Sequence, residues 1–134
     1  MIVCDTNVLV RILINEPKAE QQCRLARELI AEHDNIWVCQ VVLIETIWVL
    51  QTSYQFSKEQ ILLVLEKLRN HPDIILENAE YLESDLAVFN SSNVGFADCL
   101  IFNNAKRKQL MLHTFDRKLA QLHGAELIGD SGKD

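Results

Sequence analysis

The residues best suited to chemistry in this chain are four carboxylates set in or beside apolar sequence: Asp5, Glu45, Asp98 and Asp116. Asp5 ends Ile2-Val3-Cys4, and Glu45 interrupts the apolar run that begins at Val41 and closes at Leu50. Asp98 stands between Gly95-Phe96-Ala97 and Leu100-Ile101-Phe102, and Asp116 comes after Thr114-Phe115. An ionised carboxylate withdrawn from water costs several kcal/mol unless something neutralises it. No Lys or Arg lies inside these runs. Convergence of the four acids on one hard cation removes the cost, and an all-oxygen donor set selects Mg²⁺ or Mn²⁺ over zinc. Such ions support attack of water on a phosphodiester.

The elements that must position these acids are read from hydrophobic period and punctuation. Short apolar strands are expected at 2–4, 36–39, 74–76 and 110–114, with a further one at 126–128. Helices are expected at 7–14, 18–32 behind Pro17, 41–52, 79–89 behind Asn78, 98–108 and 117–122. Ser57 and Gln60 form a capping-box pattern ahead of Ile61, Leu62, Leu65 and Leu68, in a helix that ends before Pro72. Strands alternating with helices imply parallel pairing and right-handed crossovers, an α/β architecture with helices on both faces of one sheet. In such sheets functional groups gather beyond the C-terminal ends of the strands, where Asp5 and Asp116 fall.

Helical spacing places Glu45 on a buried face, flanked by Val41, Val42, Trp48 and Val49, with Trp48 packed in the core. The spacing of Asp98, Ile101, Phe102 and Ala105 makes an inward stripe of the same kind. Glu59, Glu66, Glu80, Glu83 and Asp85 read as solvated charge on polar faces. Asp5, Asp98 and Asp116 each also have a purely structural reading as helix caps, whereas the structural alternative for Glu45 is a buried pair with a distant Arg.

At 134 residues, with 49% hydrophobic and 24% charged residues, the composition fits one globular domain over 1–129, with a frayed tail at 130–134. No apolar stretch approaches the roughly 20 residues of a spanning helix, and the start lacks the basic region of a signal peptide. A cytoplasmic protein with no membrane partner is the expectation. Cys4, Cys23, Cys39 and Cys99 are scattered, without zinc or disulfide spacing, and read as reduced buried thiols. A net charge of −6 argues against a generic nucleic-acid binder. The clusters Lys106-Arg107-Lys108 and Arg117-Lys118 nevertheless allow a basic rim for phosphate tracking.

Four segments together resemble the PIN-domain ribonucleases of the VapC toxin type. They are the opening from Met1 through Asp5-Thr6-Asn7 to Arg11, the stretch from Val42 through Glu45 to Leu50, Gly95-Phe96-Ala97-Asp98-Cys99-Leu100-Ile101, and Thr114-Phe115-Asp116-Arg117-Lys118-Leu119. The resemblance runs from Met1 to about Ile128. It implies a three-layer α/β/α sandwich around a parallel sheet. It further implies Mg²⁺- or Mn²⁺-dependent endoribonuclease activity carried by Asp5, Glu45, Asp98 and Asp116. The implied partners are an RNA substrate, a cognate antitoxin whose tail fills the active-site groove, and a second copy in a homodimer.

On this reading Asp5 and Asp98 hold the principal metal, and Glu45 and Asp116 complete the site. Thr6, Asn7 and Thr114 orient water or a phosphate oxygen, unless they serve only turns and caps. Arg11 contacts substrate phosphate or an antitoxin carboxylate, or is structural. Tyr54 and Phe56 are candidates for base stacking or a dimer interface. Two other classes compete: a catalytically inert PIN-like module that binds RNA or protein, and an aspartyl phosphatase. The latter lacks a second acid two residues beyond Asp5.

Overall fold

The computed structural model describes residues 1–129; the tail expected at 130–134 lies outside the described residues. The backbone falls into two compact units, Met1–Glu80 and the segment from Tyr81 onward. Both are α/β with parallel strands, as the sequence pattern expects.

The first unit runs β1 (Ile2–Val3), α1 (Thr6–Leu13), a 3₁₀ turn (Pro17–Ala19), α2 (Glu20–Glu32), β2 (Ile36–Val38), α3 (Gln40–Thr52), α4 (Lys58–Arg69) and β3 (Ile74–Leu76). Its strands pair in the order β1-β2-β3, all parallel, with Ile2 opposite Ile36 and Ile36 opposite Ile74. Side chains alternate across the pleat. Ile36, Val38, Ile74 and Leu76 are buried, while Val3 is 65% exposed, so β1 at the sheet edge is not the buried strand its composition suggests. Leu9, Ile47, Leu50, Ile61, Leu65 and Leu68 complete the core of this unit, each contributing about 1.5–3 kcal/mol of apolar burial. The Ser57 and Gln60 capping box is formed in full at the start of α4. Cys23 Sγ and Arg27 Nε donate to the carbonyls of Ile14 and Ile12, so α2 covers acceptors that the end of α1 leaves open.

The second unit contains a 3₁₀ turn that begins just before it (Ala79–Tyr81), α5 (Leu82–Ser91), α6 (Phe96–Arg107), β4 (Leu112–Thr114), a 3₁₀ turn (Leu119–Gln121) and β5 (Ala125–Leu127). β4 and β5 form their own parallel ladder, with Leu112 opposite Ala125. Phe89 of α5 and Phe96 of α6 meet edge to face, 5.7 Å between ring centres. No helix among the described residues is long and apolar enough to cross a membrane.

Three expectations about helix faces are corrected. In α3 the buried residues are Val42, Leu43, Thr46, Ile47 and Leu50. Glu45 is exposed, on a stripe with Val41 and Trp48, and Trp48 is 63% exposed. The helix is apolar nearly all round, so its periodicity has no polar face to mark the outside. In α6 the buried face is Phe96, Cys99, Leu100, Phe102 and Asn103, with Ile101 exposed and Asp98 half-buried. Asp85, expected in solvent, is buried on the same stripe as Leu82, Leu86 and Phe89. Its Oδ1 accepts from Asn103 Nδ2 at 2.8 Å and lies 3.8 Å from Arg107 Nη2. Burial pushes its carboxyl above the ordinary aspartate value of 3.8, and the Asn103 hydrogen bond and Arg107 charge offset this only in part.

Thr46 and Asp85 are buried polar groups whose effect on stability can be measured. Thr46 is fully buried and its Oγ1 has no hydrogen-bond partner among the described residues. Thr46→Val keeps the shape and removes an unsatisfied hydroxyl, so urea denaturation should show a gain on the order of 1 kcal/mol; a loss would mean the hydroxyl is satisfied in solution. Asp85 has a raised folded-state pKa, so its contribution to stability is complete below the unfolded value and falls as pH rises through the folded one. The stability of the unaltered protein relative to Asp85→Asn should therefore decline from about pH 3.8 upward through that window. An increasing difference would show that Arg107 outweighs desolvation.

Candidate active site

Parallel pairing delivers the ends of β1, β2 and β3 to one edge of the first unit's sheet. Asp5 leaves β1 as the N-cap of α1, accepting from Val8 N through Oδ1 at 3.1 Å. Glu45 sits in the second turn of α3, which begins directly after β2. Thr6 Oγ1 donates to Glu45 Oε1 at 3.0 Å across 39 residues of sequence. The hydroxyl expected to orient water or phosphate beside Asp5 is thus engaged by a different acid. Beyond β3, Glu77 Oε1 accepts from Gln40 N at 2.8 Å and caps α3. That cap has no local signature, since its partners are 37 residues apart.

Asp5 and Glu45 are exposed, as is Asp116, so the burial cost expected of all four acids applies to Asp98 alone. In the second unit Asp98 occupies the first turn of α6, behind the N-cap Gly95. Its carboxyl is held above 3.8, first by burial and then by the negative charge of Asp116. Asp116 lies just beyond β4, and its Oδ1 accepts from Lys118 N at 2.8 Å and Leu119 N at 3.0 Å. Thr114 Oγ1 accepts from Asp116 N at 2.9 Å. The capping reading holds for Asp5, whereas Asp116 orders the turn ahead of the 3₁₀ turn Leu119–Gln121, whose N-cap is Lys118, and the helix expected at 117–122 is reduced to that turn.

Arg11 is half-buried, its Nε donates to Gln22 Oε1 at 3.0 Å and its Nη1 reaches Tyr54 OH at 3.5 Å, which leaves further guanidinium donors. Tyr54 OH in turn donates to Glu16 Oε1 at 3.3 Å, which accounts for Tyr54 without base stacking. Asn7 is exposed and lines a groove between α1 and α2 with Asp5 and Arg11. A larger cavity of about 550 Å³, lined by residues such as Asn15, Arg24 and Glu28, contains none of the four acids. Of the basic cluster, Arg107 is engaged on the Tyr81 ring at 3.9 Å and with Asp85, whereas Lys108, Arg117 and Lys118 are exposed. The Cys4 thiol is pushed up by burial, then by Asp5 and Cys39, which keeps it protonated and a poor nucleophile beside Asp5.

Residues 2–125 match the PIN domain family. The chain belongs to the PIN-domain family. A VapC ribonuclease of Aquifex aeolicus (strain VF5) is 26% identical over 124 residues, covering 91% of this chain and 92% of the relative.

Within this PIN domain the donor chemistry suits a hard cation: carboxylates only, and in the second unit two that repel each other. Among the described residues no group of three or more His, Cys, Asp or Glu is placed to hold a metal ion. The Asp98–Asp116 coupling is directly testable. Asp116→Asn removes one of the two causes raising Asp98, so in metal-free buffer its carboxyl should titrate at lower pH while burial still holds it above 3.8. Side-chain carbonyl NMR of Asp98 reads this; an unshifted titration would mean the two carboxylates do not interact.

Proposed function

We propose that this PIN domain is a Mg²⁺- or Mn²⁺-dependent endoribonuclease and the toxin of a toxin–antitoxin pair. Its acids, Asp5 and Glu45 from one unit and Asp98 and Asp116 from the other, act as one nuclease domain over 1–129. The observation that carries the reading is the Thr6–Glu45 hydrogen bond, which fixes a carboxylate with no capping duty at the sheet edge that also bears Asp5. Membership of the PIN family and likeness to a protein named VapC ribonuclease support it. RNA is the substrate, a cognate antitoxin and a second copy of the chain are the partners, and the cytoplasm is the setting.

In this scheme Asp5 and Asp98 are the principal metal ligands, with Glu45 and Asp116 completing the set. A bound divalent ion would supply positive charge to the phosphodiester and make water a better nucleophile. The chain's own residues do the positioning. Thr6 restrains Glu45 in one orientation, and the N–H groups of Lys118 and Leu119 restrain Asp116. Thr114 orders the turn that carries Asp116. Asn7 and Arg11 lie along the groove that starts at Asp5, where a phosphate oxygen can be met.

The competing reading is a catalytically inert PIN-like module that binds RNA or protein. Calorimetric titration with Mn²⁺ separates the two, since an inert module has no use for the ion. For the nuclease, Asp5→Asn and Glu45→Gln should each lower RNA cleavage by at least about a hundredfold with an unchanged circular dichroism spectrum. Chelation by EDTA should do the same to the unaltered protein. Cleavage at the original rate by both variants would dismiss the catalytic assignment.

A further inference from the structure

The groove between α1 and α2 carries chemistry that the four acids leave unused. Its volume is about 350 Å³, and its lining includes Asp5, Asn7, Arg11, Gln22, Leu25 and Leu29. That size falls at the small end of ligand sites, roughly 300–1,000 Å³. Leu25 is 51% exposed on α2, whose buried residues are Cys23 and Ala26, so an apolar side chain faces the solvent there. Arg11 is half-buried, its hydrogen-bond partners Gln22 and Tyr54 are neutral, and it takes part in no ion pair among the described residues. A partly desolvated guanidinium in no direct ion pair can take an anion, and its planar donors suit phosphate.

Gln22 uses its acceptor on Arg11, which leaves two amide donors for another acceptor. Asn7 adds an exposed amide with both donor and acceptor. A ligand that satisfies the groove has an apolar flat ring, an edge of donors and acceptors, and one anionic group. A nucleotide has all three. Asp5 belongs to the same lining, so a nucleotide seated there adjoins an acid assigned to cleavage.

We propose that the α1–α2 groove is a base-reading subsite for the nucleotide beside the scissile phosphate. Leu25 packs against the base, Gln22 and Asn7 read its edge, and Arg11 takes its phosphate. Cleavage of the neighbouring phosphate rests on the nuclease reading; binding of a nucleotide in the groove does not.

The test uses the full chain and the mononucleotides AMP, GMP, CMP and UMP, titrated in EDTA so that no cleavage contributes. Amide NMR shifts should centre on Asn7, Arg11, Gln22 and Leu25, with one base preferred. Leu25→Glu alters an exposed position and should weaken that binding about tenfold or more. Gln22→Met removes the amide donors without placing a charge beside Arg11, and should change which base is preferred. With Mg²⁺ and RNA, the same variant should change the base found beside mapped cuts. If both variants bind all four nucleotides and cut RNA as the unaltered chain does, the subsite is wrong and the nuclease reading stands. If nucleotides bind in the groove but RNA is never cut, the subsite stands and the nuclease reading falls. If no mononucleotide shifts these residues and an acidic amphipathic peptide does, the groove belongs to a protein partner and the proposal is overturned.

Discussion

The parallel register of β1, β2 and β3 is the constraint on which the rest of the first unit depends. Parallel strands end at the same edge, so the residues leaving each strand are delivered to one place. Three acids arrive there from distant sequence: Asp5 just after β1, Glu45 on the helix after β2, and Glu77 directly after β3. They are then given different tasks. Asp5 caps α1, Glu77 caps α3, and Glu45 is held by a hydroxyl from the start of α1. Glu77 satisfies the N-terminus of α3, and Glu45, in the second turn, has no capping duty there. A slip of one residue in the ladder would turn each strand's side chains to the opposite face and misplace all three acids.

The second unit solves a different electrostatic problem. Its buried acid, Asp85, has an amide and a guanidinium for partners, and the guanidinium is itself stacked on Tyr81. That set joins α5 to α6 and is structural in character. Asp98 has no such relief: burial and the charge of Asp116 both act against its ionisation. Two carboxylates that repel each other are costly to keep together unless a positive charge offsets them.

Local signals in the sequence are reliable wherever the physics is local. The capping box at Ser57 and Gln60, the cap at Asp5, and the strands around Ile36 and Ile74 all depend on residues a few positions apart. Helix faces are less legible. α3 offers apolar residues on every side, so nothing in its pattern marks Glu45 as outward-facing. Asp85 looks solvated because acidic Glu83 and polar Ser84 precede it, yet its stripe is the packed one. Burial of a face is settled by the element that packs on it, and that partner comes from elsewhere in the chain.

The sequence by itself determined the α/β class, the parallel pairing and the caps at Asp5 and Ser57, because each is encoded in residue type and short spacing. Only the tertiary structure decided that Glu45 and Trp48 face outward, that Asp85 is the buried acid, that Thr6 serves Glu45, and that Arg11 is tied to Gln22 and Tyr54. These contacts join elements that are remote in sequence. Their existence depends on strand order, crossover and packing, which no single stretch of residues contains.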